Sequence, residues 1–482
     1  MVLNSIIGSD APESPRPPRL SPKTQLLFFI ACELLVYMDR GALAGLLPHI
    51  KEGVHRDGSD KPLSSAAAGW LGSVFMFGYT LASPIFARLS RRGHCWTARS
   101  IAIGLTVWTA ACASTYFLVG SNYDLLVLCR LLTGVGEAAF CSLAPVVIDD
   151  ASPSGRKSTY LGFFFMSIYV GIAIGNIVTA GFRSWQGGRI IFLIEACLMV
   201  PIILLCLRWQ SRFSTSPQMA MAAPSMPRGF IERISGLIND MKQALMSRAF
   251  VLICLGFAAF NFVVGGLAVH GPTILRESLG ASQVAATLGL GLATVLTGVL
   301  GTYFGGWLSD KVAGKDPDVS ARARAGTKIC VVMAAIGVVF IALTAVAKTT
   351  WLFLCMMSIA LLALFSTTAP CNVGLMSTVP EDVRSQGLAI SIGVSHLLGD
   401  FPSPVVIGSI ADASKSWSLA ILFTSAWMVL AVICWAVAYR HIRRYGAVVP
   451  TAPHVGYYVS SEASTGDDDR ETAFDPIMDR VE

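Results

Sequence analysis

Long apolar runs recur along the chain, at about 24–47, 65–87, 99–120, 125–148, 159–183, 189–208, 249–275, 283–308, 326–347, 351–377, 385–411 and 417–439. Each is long enough to cross a bilayer core of roughly 30 Å at about 1.5 Å per residue. The pattern therefore predicts twelve membrane-spanning helices. The longest polar gap, residues 209–247, divides them six and six. Its first part, 211–227, is rich in Ser, Met, Ala and Pro and reads as a flexible linker. In the second part Phe230, Ile234, Leu237, Ile238, Met241 and Leu245 recur at helical spacing. They predict an amphipathic helix that lies on the membrane face or docks against other helices. The expected organisation is a tail (1–23), a six-helix half (24–208), a linker with the amphipathic helix (209–248), a second six-helix half (249–440) and a second tail (441–482). The acidic stretch Asp467 to Glu471 in that last tail reads as disordered and solvated.

Composition agrees with a polytopic membrane protein. Of 482 residues, 54% are hydrophobic and only 14% charged, against about 25% charged in soluble domains. The first 20 residues have no apolar core of the kind a cleaved signal peptide needs. Lys and Arg fall unevenly between the loops. The N-tail, the even-numbered gaps and the start of the C-tail hold about 24, and the loops on the other side about 8. That bias places both termini in the cytosol. The net charge of +6 comes from these loops, with no patch suited to nucleic acid. Twelve cysteines sit singly, nearly all in apolar segments, and suggest neither a metal site nor a disulfide framework.

Charges inside the spans are few and costly. One near the middle of a membrane helix costs on the order of 2.5–3.5 kcal/mol on insertion scales. Span four, LLVLCRLLTGVGEAAFCSLAPVVI, holds Arg130 and Glu137 seven residues apart on one helical face, with Gly134 between them where a neighbour can approach. Span one, CELLVYMDRGALAGLLP, holds Glu33, Tyr37 and Arg40 along one face and Asp39 beside Arg40. Asp39 and Arg40 project about 100° apart and require different partners. Their natural partners are Arg130 and Glu137. Such a tetrad either fixes helices or lines a transport path. A carboxylate whose cation leaves during a conformational change can take up a proton, which makes Asp39 and Glu137 proton-coupling candidates. Span eleven, SHLLGDFPSP, puts His396 and Asp400 one turn apart, while Gly399, Pro402 and Pro404 interrupt the helix. Asp400 is the third proton-coupling candidate. Span seven offers Asn261 and His270 to a cavity.

A weak repeat relates the halves. Span two ends Ala87-Arg88-Leu89-Ser90-Arg91-Arg92, and span eight ends Gly306-Trp307-Leu308-Ser309-Asp310-Lys311, 219 residues later. Two six-span halves related in this way resemble the architecture of major facilitator transporters, with a central site between the halves. The second copy resembles that superfamily's signature after span two, which implies a gating role for Asp310 and Lys311. The first copy has Arg91, followed by Arg92, where the signature Asp would stand, so this half lacks the corresponding carboxylate.

Enzyme readings find no support. The chain has no phosphate-binding Gly-rich loop, no HExxH and no serine elbow, and Ser395 and His396 cannot face each other as neighbours in a helix. With no ATP-binding signature, the expected energy source is an ion or substrate gradient. YMDRGALAGLLP, RLLTGVGEAAFCSLAPVVIDD, GFAAFNFVVGGLAVHGPTIL and SHLLGDFPSPVVIGSIAD, in this order from about Gln25 to Arg440, resemble the spinster-like family of major facilitator transporters. The resemblance implies an all-α, twelve-helix transporter of a single-chain lipid such as a lysophospholipid or sphingoid phosphate. It implies a central polar cluster of Asp39, Arg40, Arg130 and Glu137. His270 stands where that family usually has a tryptophan. The expected substrate site comprises Arg40, Arg130, Tyr37, His270 and His396, with the arginine fork suited to a phosphate head and apolar side chains to the tail. Protons are the expected partner, with no cofactor and a monomeric chain. Small organic anions or sugars, or a receptor or scaffold that transports nothing, are the alternatives. Tyr445-Gly-Ala-Val448 resembles a tyrosine-type sorting signal and points to a lysosomal or endosomal membrane rather than the plasma membrane.

Overall fold

The structure, a computed structural model, describes residues 19–55, 63, 65–90, 95–179, 181–213 and 230–447. Arg91 and Arg92 lie outside the described residues, as does the Ser-rich part of the linker. The first half contains α1 (Pro22–Gly53), α2 (Ser65–Leu89), α3 (Trp96–Phe117), α4 (Tyr123–Ala151), α5 (Lys157–Thr179), the single turn α6 (Trp185–Gly188) and α7 (Ile190–Arg208). α8 (Phe230–Met246) connects to the second half. That half contains α9 (Arg248–Leu279), α10 (Gln283–Ala313), α11 (Val319–Thr344), α12 (Thr350–Phe365), α13 (Thr368–Ser377), α14 (Arg384–Ser395), α15 (Ser403–Ser414) and α16 (Trp417–Tyr445).

Local chemistry sets many of the helix starts. Ser21, Asn122, Ser247, Ser282, Asp318, Thr349 and Ser416 each accept a hydrogen bond from the backbone N–H three residues on, which satisfies a donor that the first turn leaves free. Among the described residues, ten helices are long and apolar enough to cross a membrane by length and composition. α1 and α2 complete the twelve. α1 is 32 residues long but interrupted by Glu33, Asp39 and Arg40, and α2 contributes the shorter apolar stretch Val74–Leu89.

Two spans are broken, each at a proline. In span ten Pro370 has no N–H to give the Ser366 carbonyl, so α12 and α13 part there. The freed carbonyl turns toward Gly305 of α10, where any side chain would overlap it. In span eleven a π turn, His396–Asp400, inserts a residue between α14 and α15, with Phe401 N donating to His396 O at 3.0 Å. Pro402 and Pro404 follow, as the sequence predicts.

Within the first half α1 packs on α5, α2 and α3 on α4, and α3 on α7. In the second, α9 and α11 pack on α16, and α10 and α11 on α12. Gly134 admits α2 to α4, because a methyl group there would overlap the Phe75 carbonyl. The halves meet along α5 with α10 and α2 with α14. α8 caps one end of this seam, the linker face, against α14, α2 and the turn Glu381–Val383. Its buried Asp240 pairs with Arg88 at the end of α2, so this helix docks against others rather than floating on a surface.

Candidate functional site

Asp39 and Arg40 meet α4 at two levels. Nη1 of Arg130 donates to Asp39 Oδ1 at 3.0 Å and Oδ2 at 2.9 Å, and Nη2 donates to Thr115 Oγ1 at 3.4 Å. Phe192 of α7 lies 5.0 Å from this guanidinium. Both members of the pair are 1% exposed. Deeper along α4, Arg40 pairs with Glu137. The Arg40 guanidinium is held between the rings of Tyr37 and Phe75, at 4.6 and 4.5 Å from their centroids. Its side chain keeps 28% of its surface exposed, whereas that of Glu137 keeps none. Of these four charges, Arg40 alone reaches open space. Arg130 is sealed in this conformation.

An aromatic path leads from Arg40 toward the second half. Phe75 is followed one turn later by Tyr79, with ring centroids 6.3 Å apart, and His396 of span eleven stands edge-on to Tyr79 at 5.8 Å. His396 Nδ1 is 2.8 Å from Asp400 Oδ2, and both side chains are partly exposed. The structure thus brings Tyr37, Asp39, Arg40, Arg130 and Glu137 into one cluster and links His396 and Asp400 to it through α2. It does not bring His270 there. That ring bonds the Pro404 carbonyl at 2.7 Å and lies against Trp417 at 5.5 Å, so it secures the broken helix. Asn261 bonds the Phe257 carbonyl of its own helix at 2.9 Å.

Beside His396, α2 and span eleven border an apolar cavity of about 450 Å³. Trp70, Phe77 and Leu81 form one wall, and Leu397 and Phe401 the other. These side chains are more than half exposed.

At the linker face, charges and helix ends hold the halves together. Asp310 of α10 accepts from Ser158 N at 3.0 Å and from Thr159 N and Oγ1 at 2.6 and 2.7 Å, at the start of α5. Lys311 instead lies over Trp307 of its own helix, 4.9 Å from the ring centroid. Buried Asp149, near the end of α4, pairs with Arg322 of α11, with Lys157 at 3.3 Å and with Arg384 of α14 at 3.8 Å. Arg384 also reaches Asp150 at 3.4 Å and Glu381 at 3.2 Å.

Sequence reasoning missed this hub, although a second repeat marks it. Pro153, Lys157 and Ser158 correspond to Pro380, Arg384 and Ser385 at a constant offset. Ser158 lies 3.5 Å from Ser309, and Ser385 Oγ donates to the Ala87 carbonyl at 3.4 Å, so each repeat meets the end of a span in the opposite half. Glu195 was missed as well. It is the lone acid in the otherwise apolar α7, which the cost of an intramembrane charge alone marks for scrutiny.

The pattern that defines the Major Facilitator Superfamily matches residues 29–401. A probable sphingolipid transporter, spinster homolog 3 of Arabidopsis thaliana, is 30% identical over 457 residues, covering 86% of this chain and 84% of the relative. Among solved structures, a bacterial homolog to the human lysosomal transporter Spinster, in an inward-facing and unoccupied conformation, is 18% identical with a TM-score of 0.56. It covers 89% of this chain and 99% of its own. The proton:xylose symporter XylE is 16% identical with a TM-score of 0.63, covering 88% and 96% respectively.

Proposed function

Because the chain belongs to the spinster branch of the major facilitator superfamily, we propose that it carries a single-chain amphipathic lipid across a membrane by proton-coupled alternating access. The substrate class is a lysophospholipid or a sphingoid phosphate. The observation that carries this reading is the apolar cavity beside His396, linked through Tyr79 and Phe75 to the partly exposed Arg40. A tail would lie between α2 and span eleven while a phosphate head meets the arginine, whose planar fork suits it. A small polar solute would have no use for such walls.

The Arg40–Glu137 pair supports proton coupling. A phosphate that draws Arg40 away leaves Glu137 buried without its cation, and binding a proton removes that cost. Asp39 and Asp400 are the other carboxylates placed to follow a partner's departure. Asp310 and the Asp149 hub close the linker face, and their release opens it. We assign this face to the cytosol from the Lys and Arg bias, and the chain to an endolysosomal membrane as a monomer. Vesicles containing the purified protein should accumulate a lysolipid faster than a water-soluble sugar or organic anion, and faster still with an imposed pH gradient. Equal uptake of all three would remove the lipid reading, and indifference to the gradient would remove the proton.

A further inference from the structure

The roles assigned above leave two buried intramembrane carboxylates unused, Glu33 of α1 and Glu195 of α7. Glu195 of α7 is fully buried, and neither Oε1 nor Oε2 has a hydrogen-bond partner among the described residues. It is turned toward the pair at the top of α4. A Glu195 oxygen, a carboxylate oxygen of Asp39 and the Cys112 sulfur all lie within 4.8 Å of one another. Phe192, one turn earlier on α7, rests on the Arg130 guanidinium. The helix face that carries Glu195 is therefore the face presented to Asp39 and Arg130.

The titratable and charged groups around Glu195 are Asp39 from α1, Cys112 from α3 and Arg130 from α4, with Cys129 adjoining Arg130. Two carboxylates share one cation, and Asp39 engages that cation through both oxygens. An ionised Glu195 would be a buried charge with neither a donor nor a cation bonded to it, the least favourable state for a carboxylate. A proton removes the imbalance and brings the group of three to net zero. A hard metal ion fits poorly, since it needs about six oxygen ligands and the arginine already occupies Asp39.

We propose that Glu195 is a proton-binding site that holds the excess proton of an Asp39–Arg130–Glu195 group. The group has two arrangements of equal charge. Arg130 pairs with Asp39 while Glu195 is protonated, or Arg130 pairs with Glu195 while Asp39 is protonated. Passing between them moves one proton and one guanidinium and changes no net charge. This gives the first half a switch of its own, separate from Arg40 and Glu137. Its part in transport rests on the proton-linked reading above, but its protonation does not.

The test is infrared difference spectroscopy of the full-length protein in lipid, reading the carbonyl stretch of protonated carboxylic acids and its shift in heavy water. The wild type should show a band that Glu195→Gln loses. Glu195→Asp, which keeps an acid, should retain a shifted band and guards against a misfolded amide variant. A spectrum unchanged by Glu195→Gln overturns the proposal. One Zn²⁺ bound per wild-type chain and none in Glu195→Gln overturns it too, in favour of a metal site. If the band is lost as expected while wild-type uptake ignores pH, the Glu195 site stands and the coupling proposed for transport falls.

Discussion

Asp310 accepts two hydrogen bonds from Thr159, through its backbone N–H and its hydroxyl, and so ties the end of α10 to the first turn of α5 in the opposite half. A carboxylate is well placed at a helix N-terminus, where free N–H groups and the helix dipole both favour negative charge. Asp310→Asn keeps the size and removes the charge. With roughly 1–2 kcal/mol at stake in such a contact, the linker-open population should rise about tenfold. Distances between spin labels on the exposed residues Ser154 and Asp316, one on each side of the seam, would report it as a longer component.

Asp149 faces a different balance. Arg322, Lys157 and Arg384 all lie within ion-pair reach of it. Removing the anion takes that carboxylate from Arg322 and Lys157, while Arg384 keeps Asp150 and Glu381; removing one cation leaves Asp149 two others. Asp149→Asn should therefore slow transport and lower thermal stability more than Arg322→Gln. Adding Arg322→Gln to Asp149→Asn should restore part of the loss. Strictly additive effects in that double-mutant cycle would mean the pair is not coupled.

Arg130 and Arg40 differ in burial, and this predicts different phenotypes. Arg130→Ala strands the Asp39 carboxylate in a dry site and should cost on the order of 3–5 kcal/mol of stability. Arg40→Ala should leave the melting temperature closer to wild type and weaken binding of a phosphate-headed lipid instead, since its side chain reaches open space. Thermal shift and equilibrium binding on the two variants separate these outcomes. A stable Arg130→Ala protein with poor binding would assign the head to Arg130.

Much of this arrangement was legible in the sequence. Charge cost singled out Asp39, Arg40, Arg130 and Glu137, and their adjacent and two-turn spacings suggested pairing between the two spans, as the structure shows. Pro402 and Pro404 announced the break in span eleven. The kink at Ser366 was not apparent, because one proline in a 28-residue apolar span is compatible with an unbroken helix until the carbonyl it frees finds Gly305. His270 looked like a cavity residue because its spacing cannot reveal that the Pro404 carbonyl, far along the chain, holds it. The Asp149 hub joins α4, α11 and α14, contacts of long sequence separation that only the distant repeat of Lys157 and Arg384 could have flagged.

The central claim is an amphipathic load, with a head at Arg40 and a tail along the apolar walls between α2 and span eleven. The most direct measurement is a competition series over tail length at a fixed phosphate head, read as displacement of a labelled lysolipid from the purified protein. At roughly 0.8 kcal/mol per buried CH₂, shortening the tail by four carbons should weaken binding by about 3 kcal/mol, on the order of a hundredfold. Affinity that stays level from a long tail down to free glycerophosphate would contradict the account.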